Sequence, residues 1–149
     1  ELDLIVYYFL GILAEKTGKI ELSRKEFIKV LDGRDNSGDI KLFSGLAYQK
    51  LGEKDKAEVI FNELFNAGIE LLENKKKLDF FDPFAFYSQE VSSKKNEAKA
   101  LYLLALSAFG KGDIGRSIEL AKKSIKLDNN NVGLIFRLGF TDSIDSAYH

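Results

Sequence analysis

Hydrophobic residues recur every three or four positions along most of the chain, which is the spacing of an amphipathic α-helix. The stretch that begins at Phe61 shows this clearly, because Leu64, Phe65, Leu71 and Leu72 follow in helical register. There is one proline, and almost no β-branched alternation of the kind that strands show. The pattern predicts an all-α chain. The predicted helices lie near Asp3–Thr17, Ile20–Leu31, Asp39–Leu51, Lys54–Lys76, Lys94–Lys111 and Ile114–Leu127, with a seventh from Asn131 to the early 140s.

The periodic stretches themselves recur at a fixed interval. The interval from Gly18 to Gly52 equals the interval from Phe27 to Phe61. A third unit aligns on Gly112, but the interval from Gly52 to Gly112 is much longer than the first. The sequence therefore predicts a helical repeat with an insertion between its second and third units.

One unit carries, in order, Gly45, Tyr48, Gly52, Ala57 and Phe61. This order resembles the tetratricopeptide repeat, a helix–turn–helix of about 34 residues. The proline that usually follows the second helix is missing. The resemblance covers about residues 3–76 and 95–140, and it implies a superhelical stack of antiparallel helix pairs, about three repeats plus a further terminal helix. We expect a single domain, 1–149, with repeats at about 4–37, 38–76 and 98–131, a partial repeat at 132–145 and an aromatic insertion at about 77–94.

The repeated small residues have mechanical roles in such a stack. Glycines at positions 18, 52 and 112 are expected where each first helix ends, because glycine accepts the left-handed conformation without a Cβ clash. Other small residues are expected where the two helices of a pair approach closely. The expected facing pairs are Gly11 with Ser23, Gly45 with Ala57, and Ala105 with Ser117.

The insertion is rich in aromatic residues. Lys75, Lys76 and Lys77 are expected to end a long helix, since cations offset the helix dipole there. Five aromatics exposed together would form a larger apolar patch than a soluble monomer normally carries. They therefore either fold back over the broken repeat, or form a second binding surface or ligand pocket. These residues are Phe80, Phe81, Phe84, Phe86 and Tyr87.

A second, looser resemblance covers residues 61–113. The order of a long helix, an aromatic segment and a closing repeat is similar to the repeat region near the C-terminus of large bacterial proteins that carry an uncharacterised, carbohydrate-associated domain. This resemblance implies an accessory helical module whose chemistry lies elsewhere in a larger protein. The chain begins at Glu1 and contains no methionine, so we expect it to be a fragment.

The resemblance to tetratricopeptide repeats also implies a groove lined by the first helix of each pair. The expected lining is mostly apolar and aromatic, which favours an amphipathic helix or an extended hydrophobic segment as partner. Alternatively, the groove is filled by the chain itself or by a second copy in a homodimer. The expected lining residues are Tyr8, Ile12, Glu15, Leu42, Leu46, Gln49, Tyr102, Leu106 and Phe109.

Family members that clamp an acidic C-terminal peptide use basic and amide side chains on these helices, because charge-assisted hydrogen bonds hold a carboxylate. Only one of the matching positions here holds a lysine, so we expect no such binding. These positions are Tyr8, Ile12, Phe43, Lys99 and Leu103.

Charge and composition exclude several other functions. With 22 basic and 23 acidic residues the net charge is −1, which leaves no electrostatic footprint for nucleic acid. The apolar N-terminal run is shorter than a membrane span of about 20 residues. There is no cysteine, and the one histidine is His149, so we expect no catalytic site, no metal and no cofactor. The chain is therefore expected to be a non-enzymatic, cytoplasmic binding module with a protein or peptide partner.

Overall fold

Six α-helices make up the described part of the chain. A computed structural model describes residues 2–33, 37–81 and 86–129, with side chains for residues 3–33, 37–74 and 92–129. No strand occurs among these residues, which confirms the all-α class. The helices are α1 (Leu2–Lys16), α2 (Ile20–Leu31), α3 (Gly38–Lys50), α4 (Lys54–Phe81), α5 (Phe86–Gly110) and α6 (Ile114–Leu127).

The helix bounds agree with the prediction except around the insertion. Helix α4 continues past the three lysines to Phe81, and α5 begins at Phe86 rather than near Lys94. The sequence predicted no helix between Lys76 and Lys94, which was wrong for most of this segment. No glycine or proline occurs in residues 77–81 or 86–93, and aromatic residues lower helix propensity only modestly. The seventh predicted helix, from Asn131, lies outside the described residues.

The chain divides into two compact units, and the expectation of a single domain stays a prediction. Unit 1 is Glu1–Glu63 and unit 2 is Leu64–His149, so the boundary falls inside α4. Unit 1 contains α1, α2, α3 and the first part of α4, whereas unit 2 contains the rest of α4 with α5 and α6. The expected repeat boundaries stay a prediction.

In unit 1 each helix pair packs through a glycine and an aromatic ring. A Cβ at Gly11 would lie 2.6 Å from Cε1 of Phe27, and one at Gly45 would lie 2.4 Å from Cε1 of Phe61. Both rings are almost fully buried. Each of these glycines therefore faces a large side chain of the next helix. The expected pairing of Gly11 with Ser23 and of Gly45 with Ala57 stays a prediction. The absent Cβ makes room for a ring, which contributes far more buried apolar area than a second small residue.

In unit 2 the corresponding crossing uses small residues and hydrogen bonds. Ser117 Oγ donates to the carbonyl of Ala105 at 2.7 Å, and Ser124 Oγ donates to the carbonyl of Ala98 at 2.7 Å. The predicted pairing of Ala105 with Ser117 is therefore confirmed. Ala121 holds the position that a phenylalanine holds in both helix pairs of unit 1, so α6 packs on α5 with small side chains.

The three turns between paired helices are alike. Gly18, Gly52 and Gly112 have φ of +74°, +83° and +84°, as predicted for left-handed helix ends. At the second turn the amide of Gly52 donates to Gln49 O and the amide of Glu53 donates to Tyr48 O. The same two bonds recur at the other turns, and they satisfy carbonyls that a helix end leaves free.

Candidate functional site

One of the expected lining residues of unit 1, Tyr8, makes an aromatic contact between α1 and α3. The rings of Tyr8 and Phe43 have their centroids 5.2 Å apart, and Tyr8 also lies 5.6 Å from Phe27. Burial raises the pKa of the Tyr8 hydroxyl to about 12, and the negative charge of Glu15 adds to the rise. Tyr8 is therefore a partly buried, neutral aromatic residue at physiological pH.

Two further lining residues of unit 1 are partly exposed and one is not. Ile12 and Leu46 are half-buried and hold equivalent positions on α1 and α3, each directly after the glycine that faces a ring. Leu42 is fully buried, together with its neighbour Phe43. Leu42 is therefore a core residue and is removed from the surface set, because α3 packs on that side against the rest of unit 1.

A salt bridge and an amide bound this surface at the C-terminal ends of α1 and α3. Glu15 Oε2 and Lys50 Nζ lie 2.7 Å apart, and both side chains are partly exposed. Gln49, also exposed, precedes Lys50 on α3. Lys50 was not in the set expected from the sequence, although its acidic partner was. We call Tyr8, Ile12 and Leu46, with Glu15 and Gln49 at the rim, the α1–α3 surface.

The three lining residues expected from α5 lie in unit 2, and two of them belong to its core. Tyr102 is 8% exposed and Leu106 is fully buried, so neither offers a surface to a partner. Phe109 is half-buried, near the end of α5. The sequence analysis expected α5 to line a groove with one accessible side. Tyr102 and Leu106 are instead buried, because α5 is covered on several sides. Of the three, Phe109 therefore remains as a surface residue.

The aromatic insertion is described only by its backbone. Phe80 and Phe81 lie at the end of α4, and Phe86 and Tyr87 lie at the start of α5. The side chains of these four residues, and the whole of Phe84, fall outside the described residues. Their role as core or as second surface stays a prediction.

The described side chains contain no group of three or more histidine, cysteine, aspartate or glutamate residues that could hold a metal ion. Among the described helices, none combines the length and the hydrophobicity needed to cross a bilayer. The described residues therefore present apolar surfaces on their helix pairs.

Comparison with known families supports this interpretation. Residues 98–131 match the tetratricopeptide repeat family. The matched segment contains about half of α5, the Gly112 turn and all of α6. No curated protein matches the chain significantly. In unit 1 the glycine turns and the helix pairs repeat at a regular interval. The described chain is therefore a set of tetratricopeptide-like helix pairs.

Proposed function

We propose that this chain is a non-catalytic protein-interaction module whose α1–α3 surface binds an apolar segment of a partner protein. The observation that carries the proposal is that Tyr8, Ile12 and Leu46 are apolar or aromatic and partly exposed on α1 and α3, two first helices that contact one another. Tetratricopeptide repeats generally mediate contacts between proteins, and residues 98–131 match that family.

The chemistry of the surface supports an amphipathic helix or an extended hydrophobic segment as the ligand. Its centre is apolar and aromatic, while charge is confined to the Glu15–Lys50 pair at one end. A paired rim contributes more to orientation than to affinity. The affinity would come from burial of apolar area against Tyr8, Ile12 and Leu46.

The surface is also preformed in its packing. Tyr8 packs between Phe27 and Phe43. The contact of Gly11 with Phe27 joins α1 to α2, and the contact of Gly45 with Phe61 joins α3 to α4. A preformed surface spares binding part of the cost of ordering side chains.

The proposal also includes a larger parent protein. Because residues 61–113 resemble the repeat region of large bacterial proteins with a carbohydrate-associated domain, the module would be an accessory part of such a protein.

A displayed peptide library tests the proposal directly. Peptides selected on the wild-type chain are expected to be rich in apolar residues at helical spacing, and to lose binding to the Ile12→Lys and Leu46→Lys variants. Val59→Lys is the matched control, since Val59 is an exposed apolar residue of the same unit on α4. Binding to this control is expected to be unchanged.

Two results would contradict the proposal. Selection that yields no apolar peptides, or peptides that bind both variants as well as wild type, would show that the α1–α3 surface is not the binding site. A stable dimer that the Ile12→Lys change dissociates would show that a second copy occupies the surface, which is the structural alternative.

A further inference from the structure

A depression of about 260 Å³ lies in unit 1 between α1 and α2, near the Gly18 turn. We call it the turn pocket. Its wall is mostly apolar, and it shares no residue with the α1–α3 surface. The hydroxyl of Thr17 donates to carbonyl oxygens in the last turn of α1, so it is satisfied without a ligand. Besides Thr17, the lining residues are Leu10, Leu13, Ala14, Lys19, Leu22 and Glu26.

The second repeat carries an aromatic ring at the equivalent place. The repeat interval aligns Ala14 with Tyr48, and Leu22 with Lys56. Lys56 Nζ lies 5.5 Å from the centroid of the Tyr48 ring, so this ring of α3 packs against the first turn of α4. In the first repeat the same position holds only the methyl group of Ala14. The turn pocket therefore corresponds to the space that a tyrosine side chain fills one repeat later.

The part of the pocket nearest the turn owes its opening to the missing ring. The second repeat directly follows another repeat, yet Tyr48 is only half-buried there. The equivalents of Lys19 and Leu22 are Glu53 and Lys56, whose side chains are 43% and 61% exposed. This end of a helix pair is thus accessible even where a repeat precedes it.

The third repeat shows that the ring can come from another helix. Its residue at this position is again an alanine, Ala108, and Lys111 is the equivalent of Thr17. Lys111 Nζ lies 5.4 Å from the centroid of the Phe65 ring, which belongs to α4 rather than to α5 or α6. An aromatic ring therefore lies near the turn of both other helix pairs, once from the pair itself and once from outside it.

The turn pocket has the size and the chemistry for one such ring. An apolar cavity of about 150 Å³ is large enough for benzene, so 260 Å³ accommodates the ring of a tyrosine or a phenylalanine. Lys19 is exposed at the wall, and an ammonium group attracts the face of an aromatic ring. Leu13 and Leu22 are 59% and 45% exposed, so the wall is open on one side. An open wall suits a ring that a chain carries, because the chain adds contacts outside the pocket.

We propose that the turn pocket binds an aromatic side chain, tyrosine or phenylalanine, of a partner protein. The ring lies against Ala14 and Leu22 as the Tyr48 ring lies against α4, and Lys19 covers one of its faces. This site is additional to the α1–α3 surface, and its occupancy does not depend on the function proposed there.

Chemical-shift titration by NMR tests the proposal, with p-cresol as the analogue of a tyrosine side chain. The amides of residues 13–22 are expected to shift, with a dissociation constant on the order of 1 mM, because so small a ligand makes few contacts. Methylcyclohexanol has a similar outline without an aromatic ring, and it is expected to bind more weakly because it offers Lys19 no π face. A capped Gly-Tyr-Gly peptide is expected to bind at least as tightly as p-cresol, whereas capped Gly-Ala-Gly is expected to leave these amides unshifted.

Two variants locate the binding site. Ala14→Tyr gives α1 the ring that the second repeat already has, and it is expected to abolish the shifts while the helix content stays unchanged. Leu22→Asn removes an apolar part of the wall and is expected to weaken binding roughly fivefold. Ile28→Asn is the matched control for this change, because Ile28 lies on the same helix, does not line the pocket, and is 48% exposed against 45% for Leu22.

Each contrary result overturns the proposal or one part of it. Unshifted amides at saturating p-cresol show that the pocket takes no ring. Undiminished binding by the Ala14→Tyr variant, or equal weakening by Leu22→Asn and Ile28→Asn, places the binding elsewhere on the chain. Binding of p-cresol without binding of the tyrosine peptide assigns the pocket to a free aromatic molecule instead of a partner's side chain. Equal affinity for methylcyclohexanol refutes the role of Lys19.

Discussion

The ring of Phe61 lies directly over the backbone of Gly45, so that a Cβ on Gly45 would come within 2.4 Å of Cε1. Phe61 is almost fully buried, and its position leaves no room for a methyl group. The same relationship joins Gly11 to Phe27 in the preceding helix pair. Close helix approach in unit 1 thus depends on a glycine beneath a ring.

Gly45→Ala is therefore expected to destabilise the protein by about 1–3 kcal/mol, the usual cost of overpacking a core. Urea denaturation followed by circular dichroism measures the change. Adding Phe61→Leu to Gly45→Ala is expected to cost less than the two single changes together, because the smaller side chain makes room for the methyl. Gly115→Ala is the control. A Cβ there meets nothing within 4 Å, so this change is expected to stabilise by up to about 1 kcal/mol. A Gly45→Ala protein as stable as wild type would contradict the packing described.

Gly52→Ala is expected to destabilise for a different reason. A Cβ at this glycine would meet nothing within 4 Å, but its φ is +83°. An L-residue held in the left-handed region costs about 1–2 kcal/mol. Gly52→Asn is expected to lose less, since asparagine tolerates that region better than alanine. Denaturation midpoints of the two variants check the order, and equal losses would show that backbone strain is not the cause.

The hydroxyl groups of Ser117 and Ser124 are expected to stabilise the packing of α6 on α5. Each donates to a backbone carbonyl of α5 at 2.7 Å, and both residues are buried. Ser117→Ala and Ser124→Ala are each expected to cost about 1 kcal/mol, the net contribution of a typical hydrogen bond. Thermal or urea unfolding of the single variants measures this. The exposed Ser92 provides a control, Ser92→Ala, which is expected to change stability little.

Stability is expected to fall at high pH because of Tyr8. Burial, and then the charge of Glu15, raises the pKa of Tyr8 to about 12 in the folded protein, whereas an unfolded tyrosine titrates near about 10. Between these values the folded state holds a proton that the unfolded state has lost, so the free energy of unfolding decreases as pH rises through this window. Tyr8→Phe is expected to flatten this part of the curve. Ultraviolet titration of tyrosinate in wild type and variant checks the assignment, and an unchanged titration would refute it.

An acidic C-terminal peptide is expected not to bind. Among the clamp-equivalent positions, Phe43 and Leu103 are buried, while Tyr8 and Ile12 are partly buried and uncharged at neutral pH. Lys99 is exposed, but a single lysine lacks the donors that hold a terminal carboxylate. Isothermal titration with such a peptide tests this. A dissociation constant in the micromolar range would contradict the expectation.

The internal spacing predicted much of the fold, and the reason can be seen at single residues. The glycines at 18, 52 and 112 were identified by their spacing, and their left-handed φ follows from local backbone sterics that act over a short stretch of chain. The bounds of α2 and α6 were also predicted, since glycine and aspartate mark their ends. The last residue of α4 and the first residue of α5 were not predicted, because no helix was expected between Lys76 and Lys94 although residues 77–81 and 86–93 contain no glycine or proline.

Periodicity alone could not separate core from surface. In the repeat, Leu42 is equivalent to Tyr8, and Leu106 is equivalent to Ile12. Tyr8 and Ile12 are partly exposed on α1, whereas both leucines are fully buried. The difference arises because neighbouring helices cover these positions of α3 and α5. The rings of the next helix that lie over the glycines of α1 and α3 were also not predicted.

The sequence by itself determined the helices, their turns and their repeat interval, because propensity, glycine conformation and hydrophobic spacing are local properties. Only the tertiary structure decided which apolar residues are core and which rings lie over the glycines of α1 and α3. Those features depend on which helices pack against one another. Packing joins residues far apart in the chain, and the spacing within one helix does not encode it.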